Sequence, residues 1–136
     1  MNIAQKSGTT KFISKLLSPV LSFLFKNADN QTKEKISLNI TANMLGISNA
    51  ATPFGLSAME SMQKNNSSPL TATDDMVVFV VINTAAFQLI PTTVSALRAT
   101  YNSAAPMEII TCIWISSLTA LIVGVAFAKL LNRRNV

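Results

Sequence analysis

Residues 109–128, IITCIWISSLTALIVGVAFA, carry no charged side chain. Twenty residues of α-helix extend about 30 Å, the thickness of a bilayer's hydrocarbon core. A run of that length and composition reads as a transmembrane helix. Pro106 and Glu108 suit its first turn, while Lys129, Arg133 and Arg134 close it in the manner of a cytoplasmic anchor. The span is expected over 107–131. Trp114 fits an interfacial position, and Ser116, Ser117, Thr119, Ala120 and Gly124 offer a small-residue face to a partner helix.

The rest of the chain supports the membrane class. Between Ile36 and Ala128 the only charges are Glu60, Lys64, Asp74, Asp75, Arg98 and Glu108. A soluble bundle would distribute charge along the outer faces of its helices. The net charge of +5 comes from lysines and arginines near the two ends, without the aromatic and basic interleaving that nucleic-acid binding requires. Anionic lipid is the expected counter-charge, and no nucleic acid is expected as a partner. A single cysteine, Cys112, excludes an intrachain disulfide framework. The N-terminus shows no signal-peptide cleavage pattern, so insertion by the chain's own helices is expected.

Ahead of the apolar stretches, KFISKLLSPVLSFLFKN reads as a cationic amphipathic helix within residues 1–30, interrupted at Pro19. Its uncharged part is too short to span. It suits the headgroup plane, with Lys11, Lys15 and Lys26 on lipid phosphates. The remainder, 32–136, reads as one membrane domain. Two segments in it, 32–64 and 74–98, look like broken helices. In the first, Gly46 supplies a helix end in the left-handed region, and Thr52-Pro53 reads as the N-cap and first residue of a second half-helix. In the other, Thr73 or Asp74 caps an apolar run that must kink or stop at Pro91. The fold class is therefore all-α: an amphipathic N-terminal helix, broken or re-entrant helices and a C-terminal transmembrane helix.

Charge parity selects among topologies. The lysines before Ile36 and the basic residues after Ala128 both favour the cytoplasm, whereas three full crossings would separate them. A first broken segment that enters and leaves on one face restores parity; the competing solution is that the amphipathic first segment spans, which needs a further hydrophobic segment ahead of it. The backbone at such a tip is tolerable only when buried in protein or lining a wet cavity.

Polar side chains gather at these breaks. Asn39 and Asn43 share a helix face, Asn49 and Thr52 fall at the first break, and Asn83, Gln88 and Thr92 surround the second. Pro53 and Pro91 each withhold an N–H from the carbonyl four residues back, at Asn49 and Phe87. Free carbonyls, helix ends and amides together suit a neutral hydrogen-bonding solute such as a nucleobase or sugar, or a cation. Asn39 and Asn83 are equally compatible with amide bonds that join helices. Asn83 and Gln88, five apart, diverge unless the helix bulges. Arg98 reads as a charge reaching for the interface, or as an anion contact at a cavity mouth. With no histidine and no nucleophile–base pair, an enzyme is not expected, nor a catalytic residue, metal or cofactor.

The blocks NITANMLGISNAATPFGLSAM and NTAAFQLIPTTVSALRA resemble the nucleoside-recognition or gate-domain membrane proteins, in particular their spore-maturation members. The resemblance covers nearly the whole chain. It implies a multi-pass protein of the bacterial inner membrane, needed for spore core dehydration and working beside a protein like spore maturation protein B; the closing basic residues place the C-terminus in the cytoplasm. It also implies solute recognition, with nucleosides among the candidates. The signature polar residues carried onto this sequence are Asn39, Asn43, Asn49, Thr52, Asn83, Gln88, Thr92 and Arg98. Two functions follow: a transporter-like or channel-like solute site, or a structural partner whose polar breaks dock against another membrane protein.

Overall fold

The computed structural model describes residues 9–132, side chains excepted at 9–14, 48, 50 and 132. Six α-helices and one 3₁₀ turn make up the described residues, without a strand: α1 Thr9–Leu24, α2 Asn30–Met44, α3 Ser48–Lys64, α4 Asp74–Ala85, α5 Thr92–Thr100, the 3₁₀ turn Pro106–Ile109, and α6 Ile110–Asn132. Of the expected amphipathic segment, residues 1–8 lie outside this range, as do Arg133 and Arg134. Helix α1 continues through Pro19, so the interruption expected there is absent.

Helices α2 and α3 form an antiparallel hairpin. At its open end Asp29 caps α2, its carboxylate accepting from the Thr32 N–H at 2.7 Å, and Lys35 reaches Ser61 on α3. The Thr32 bond holds the Asp29 carboxyl below its ordinary range. At the closed end the N–H groups of Gly46 and Ile47 donate to the carbonyls of Asn43 and Ala42, a Schellman closure with Gly46 at φ +69°. The chain then re-enters helix at Ser48, four residues before the Thr52 cap that the sequence suggests. Once the closure has turned the chain, residues 48–52 need no proline to start the helix. Pro53 therefore sits inside α3 and leaves the Asn49 carbonyl without its helical donor.

Helix α4 pairs antiparallel with α6. Gly124 permits the close approach, since a Cβ there would lie 2.8 Å from Val81 Cγ1. Thr73 caps α4 by accepting from the Met76 N–H. The helix stops at Ala85, well before Pro91, with Ala86 in the left-handed region at φ 46°. The expected kink at Pro91 is thus a loop over 86–91. Its backbone is satisfied from outside the helix: the Leu89 N–H donates to the Met44 carbonyl at 2.8 Å, and the Leu89 carbonyl accepts from Trp114 Nε1 at 3.1 Å.

The elements share one polarity. Asp75 stands beside the Asn27 backbone amide, within electrostatic reach of Lys33 and Lys129, so the C-terminal ends of α1 and α6 and the N-terminal ends of α2 and α4 gather at one end, while Lys15 lies in the first half of α1, away from it. The packed core lies just beneath it, where Leu21, Phe25, Ile36, Met62, Phe79 and Ala128 converge. The Phe25 and Phe79 rings meet edge to face at 6.4 Å. The two interhelix turns, 45–47 and 86–91, meet at the other end.

Helix α6 with its 3₁₀ turn, Pro106–Leu131, is the single described helix long and apolar enough to cross a membrane by length and composition. Its large side chains face outward, Ile115 at 64% and Ile122 at 62% exposed. A core helix of a soluble bundle would bury that surface.

Candidate solute site

Between the core and the meeting turns, α2, α3 and α4 enclose an open cleft of about 450 Å³. Helical spacing sets its walls. Asn39 and Asn43 are one turn apart on α2, while Thr52, Gly55, Leu56 and Met59 follow the i, i+3, i+4, i+7 stripe of α3. Phe79, Val80, Asn83 and Thr84 complete it from α4. None of the lining side chains is ionisable, so the walls offer hydrogen bonds and apolar contact and no means of moving a proton at neutral pH.

The amides are fixed by definite partners. Asn39 is buried at 2% exposure and donates from Nδ2 to the Ala51 carbonyl at 2.9 Å. Gly55 makes room for it, because a Cβ there would stand 2.9 Å from that Nδ2. The other end of the same amide, Oδ1, is buried and accepts nothing from the described residues. Asn43 donates from Nδ2 to Asn83 Oδ1 at 2.9 Å, and Asn83 donates in turn to the Phe79 carbonyl at 2.9 Å. Thr84 bonds back to the Val80 carbonyl.

Four of the eight residues singled out from the sequence, Asn39, Asn43, Thr52 and Asn83, thus line one cleft. The other four stand elsewhere. Asn49 is exposed in the first turn of α3, because the helix begins before it. Gln88 lies in the second turn, and Thr92 opens α5 just beyond it. There Thr92 and the Ile90 carbonyl press on Gly46, 3.2 and 2.8 Å from where its Cβ would be. Arg98 donates to Ser103 Oγ at 3.2 Å and the Ala105 carbonyl at 3.3 Å, holding the connection from α5 to the 3₁₀ turn.

Sequence reasoning missed Gly55, Phe79 and Thr84 in the cleft, and Leu89 and Trp114 at the turns. Gly55 alone carried a signal, as a glycine inside a helix marks a close approach.

A second cavity, of about 210 Å³, opens on the other side of α2. Leu17, Leu21 and Leu24 of α1, Ile82 of α4 and Leu118 and Leu121 of α6 wall it, and Asn43 reaches it as well.

Over 112 residues, 81% of the chain, the sequence is 40% identical to spore maturation protein A of Bacillus subtilis (strain 168). The chain is a relative of spore maturation protein A. It spans 57% of the length of that relative. No family model matches the sequence and no solved structure matches the chain. The 40% identity with spore maturation protein A accords with the resemblance carried by the blocks around Asn39–Met59 and Asn83–Ala99.

Proposed function

We propose that the chain is a multi-pass membrane protein of spore maturation, acting in spore core dehydration, whose cleft binds a small neutral polar solute in a transporter-like or channel-like manner. The observation that carries the reading is the convergence of Asn39, Asn43 and Asn83 in an uncharged cleft. The unanswered Asn39 Oδ1 adds to it. A buried acceptor left without a donor costs about 1–3 kcal/mol, so the wall gains from any rearrangement that opens Asn39 Oδ1 to the N–H or O–H group of a solute. Phe79, Leu56 and Met59 supply apolar walls for a flat ring, the chemistry of a nucleobase or nucleoside. The cleft binds and performs no reaction.

The topology proposed with it places the charged end at the cytoplasmic face of the bacterial inner membrane, the C-terminus included. The α2–α3 hairpin then enters and leaves on that face. From Ile36 to Met44 it descends about 14 Å, roughly half the hydrocarbon thickness. Its tip is braced on one side by the Leu89 N–H bond to the Met44 carbonyl and the approach of Ile90 to Gly46, support of the kind irregular backbone at membrane depth requires.

A second reading keeps the membrane placement and makes the cleft a docking surface for a membrane partner such as spore maturation protein B. Leu56, 62% exposed, and Val80, 49% exposed, form an apolar rim that favours it.

Single cysteines at Thr52 and Thr84, in a Cys112→Ser background with Ser67→Cys as a loop control, separate the two. A membrane-impermeant maleimide should label both cleft positions, and uridine should protect them but not Ser67→Cys. Labelling indifferent to nucleosides and sugars, and lost only on coexpression of the partner, would favour docking.

A further inference from the structure

The seam between α1 and α6 ends in an arrangement that the cleft does not explain. Lys26 Nζ lies 5.7 Å and Lys129 Nζ 4.7 Å from the centroid of the Phe23 ring. Two ammonium groups from opposite ends of the sequence are thus held over one ring that is 66% exposed. Both distances together confine the charges to within about 10 Å of each other, a Debye length at 0.1 M salt. Like charges at that separation repel, and an exposed ring compensates weakly. Asp75 lies within electrostatic reach of Lys129 from the buried side.

Leading away from this pair, the seam is apolar. Leu16, Val20 and Phe23 form an exposed stripe on α1 at spacings of four and three. On α6, Leu118 and Ile122 are exposed, and Leu118, about 16 Å of helix before Lys129, lines the gap between the two helices. Between the two helices the cavity of about 210 Å³ is lined by leucines of both. A hydrocarbon-sized groove that terminates in two cations has the complementarity of one amphiphile: an anionic head joined to an acyl chain.

We propose that the α1–α6 seam is a binding site for an anionic phospholipid, with its phosphate between Lys26 and Lys129 and an acyl chain along the groove. The sequence assigned lipid phosphate to the lysines of the first helix singly. The structure recruits Lys129 from the other end of the chain and supplies the chain-binding groove. The proposal rests on the membrane placement proposed above and is independent of the solute cleft.

The test uses the full chain purified in mild detergent and exchanged into micelles containing equal phosphatidylglycerol and phosphatidylcholine, with retained lipid counted by native mass spectrometry. Phosphatidylglycerol should be retained preferentially. Lys26→Gln with Lys129→Gln should lower retention about thirtyfold, as two lost surface lysines imply, with helicity unchanged by circular dichroism. Lys33→Gln with Lys64→Gln should leave retention as it is. Equal retention of the two lipids, an equal loss in the control pair, or displacement by millimolar inorganic phosphate would each overturn the proposal. Carbonate extraction of cell membranes tests the placement separately: a chain released as soluble protein removes both readings, and a membrane-bound chain without lipid preference removes this one.

Discussion

Asn43 and Asn83, on α2 and α4, join side chain to side chain, Nδ2 to Oδ1 at 2.9 Å. Asn43 lines both the polar cleft and the apolar groove. The amide bridge therefore stands in the wall between a hydrogen-bonding compartment and a hydrocarbon one.

Replacing either partner with leucine should destabilise the chain by about 1 kcal/mol, within the range of interhelical bonds in membranes. The double variant Asn43→Leu/Asn83→Leu should cost less than the sum of the two. Thermal unfolding in detergent supplies the cycle. Additive losses would mean that the bridge does not form.

Gly55→Ala places a Cβ 2.9 Å from Asn39 Nδ2. The amide must move, and its bond to the Ala51 carbonyl is lost. A destabilisation of about 1–3 kcal/mol is expected from the two buried groups left unpaired. Asn39→Ala in the same chain should recover part of it, since the clash disappears with the amide. A double variant less stable than Gly55→Ala alone would contradict this geometry.

Gly46→Ala meets two obstacles, a φ of +69° and the Ile90 carbonyl at 2.8 Å. The backbone strain alone is about 1–2 kcal/mol, and the contact separates the two turns. Melting temperature should fall further than for Leu45→Ala. Disulfide trapping of Met44→Cys with Leu89→Cys, positions whose backbones are hydrogen-bonded across the two turns, compared with and without Gly46→Ala, reads out the separation.

Asp29 gives the hairpin a pH dependence. Its folded carboxyl titrates below its ordinary range because the Thr32 bond favours the charged form. The stabilisation is complete above the unfolded value and is lost as pH falls through the lower folded one. Helicity followed by circular dichroism from pH 6 to pH 2 should show this loss in the parent chain. Asp29→Asn keeps a capping oxygen that does not titrate, and its profile should be flatter.

Much of this molecule was legible because apolar run length and capping chemistry are local. The span ending at Lys129, the Gly46 closure and the Thr73 cap each follow from a few adjacent residues. Asn39, Asn43 and Asn83 were also within reach, since amides on an apolar face need partners. Thr52-Pro53 misled because proline reads as a first helical residue, whereas the Schellman closure had already set the helix start. Pro91 marked a stop without showing that α4 ends at Ala85, because the donors and acceptors that satisfy 86–91 belong to Met44 and Trp114. Contacts of that range leave no periodic trace in a single sequence.

The clamp on Leu89 also orders events during synthesis. Met44 leaves the ribosome about 45 residues before the amide that satisfies it, a delay of roughly 2–9 s at ordinary translation rates. Trp114, which takes up the other side of the same residue, follows later still. The hairpin is therefore born with an unfinished tip, and whatever shelters the nascent chain must keep that tip hydrated until the last helix arrives.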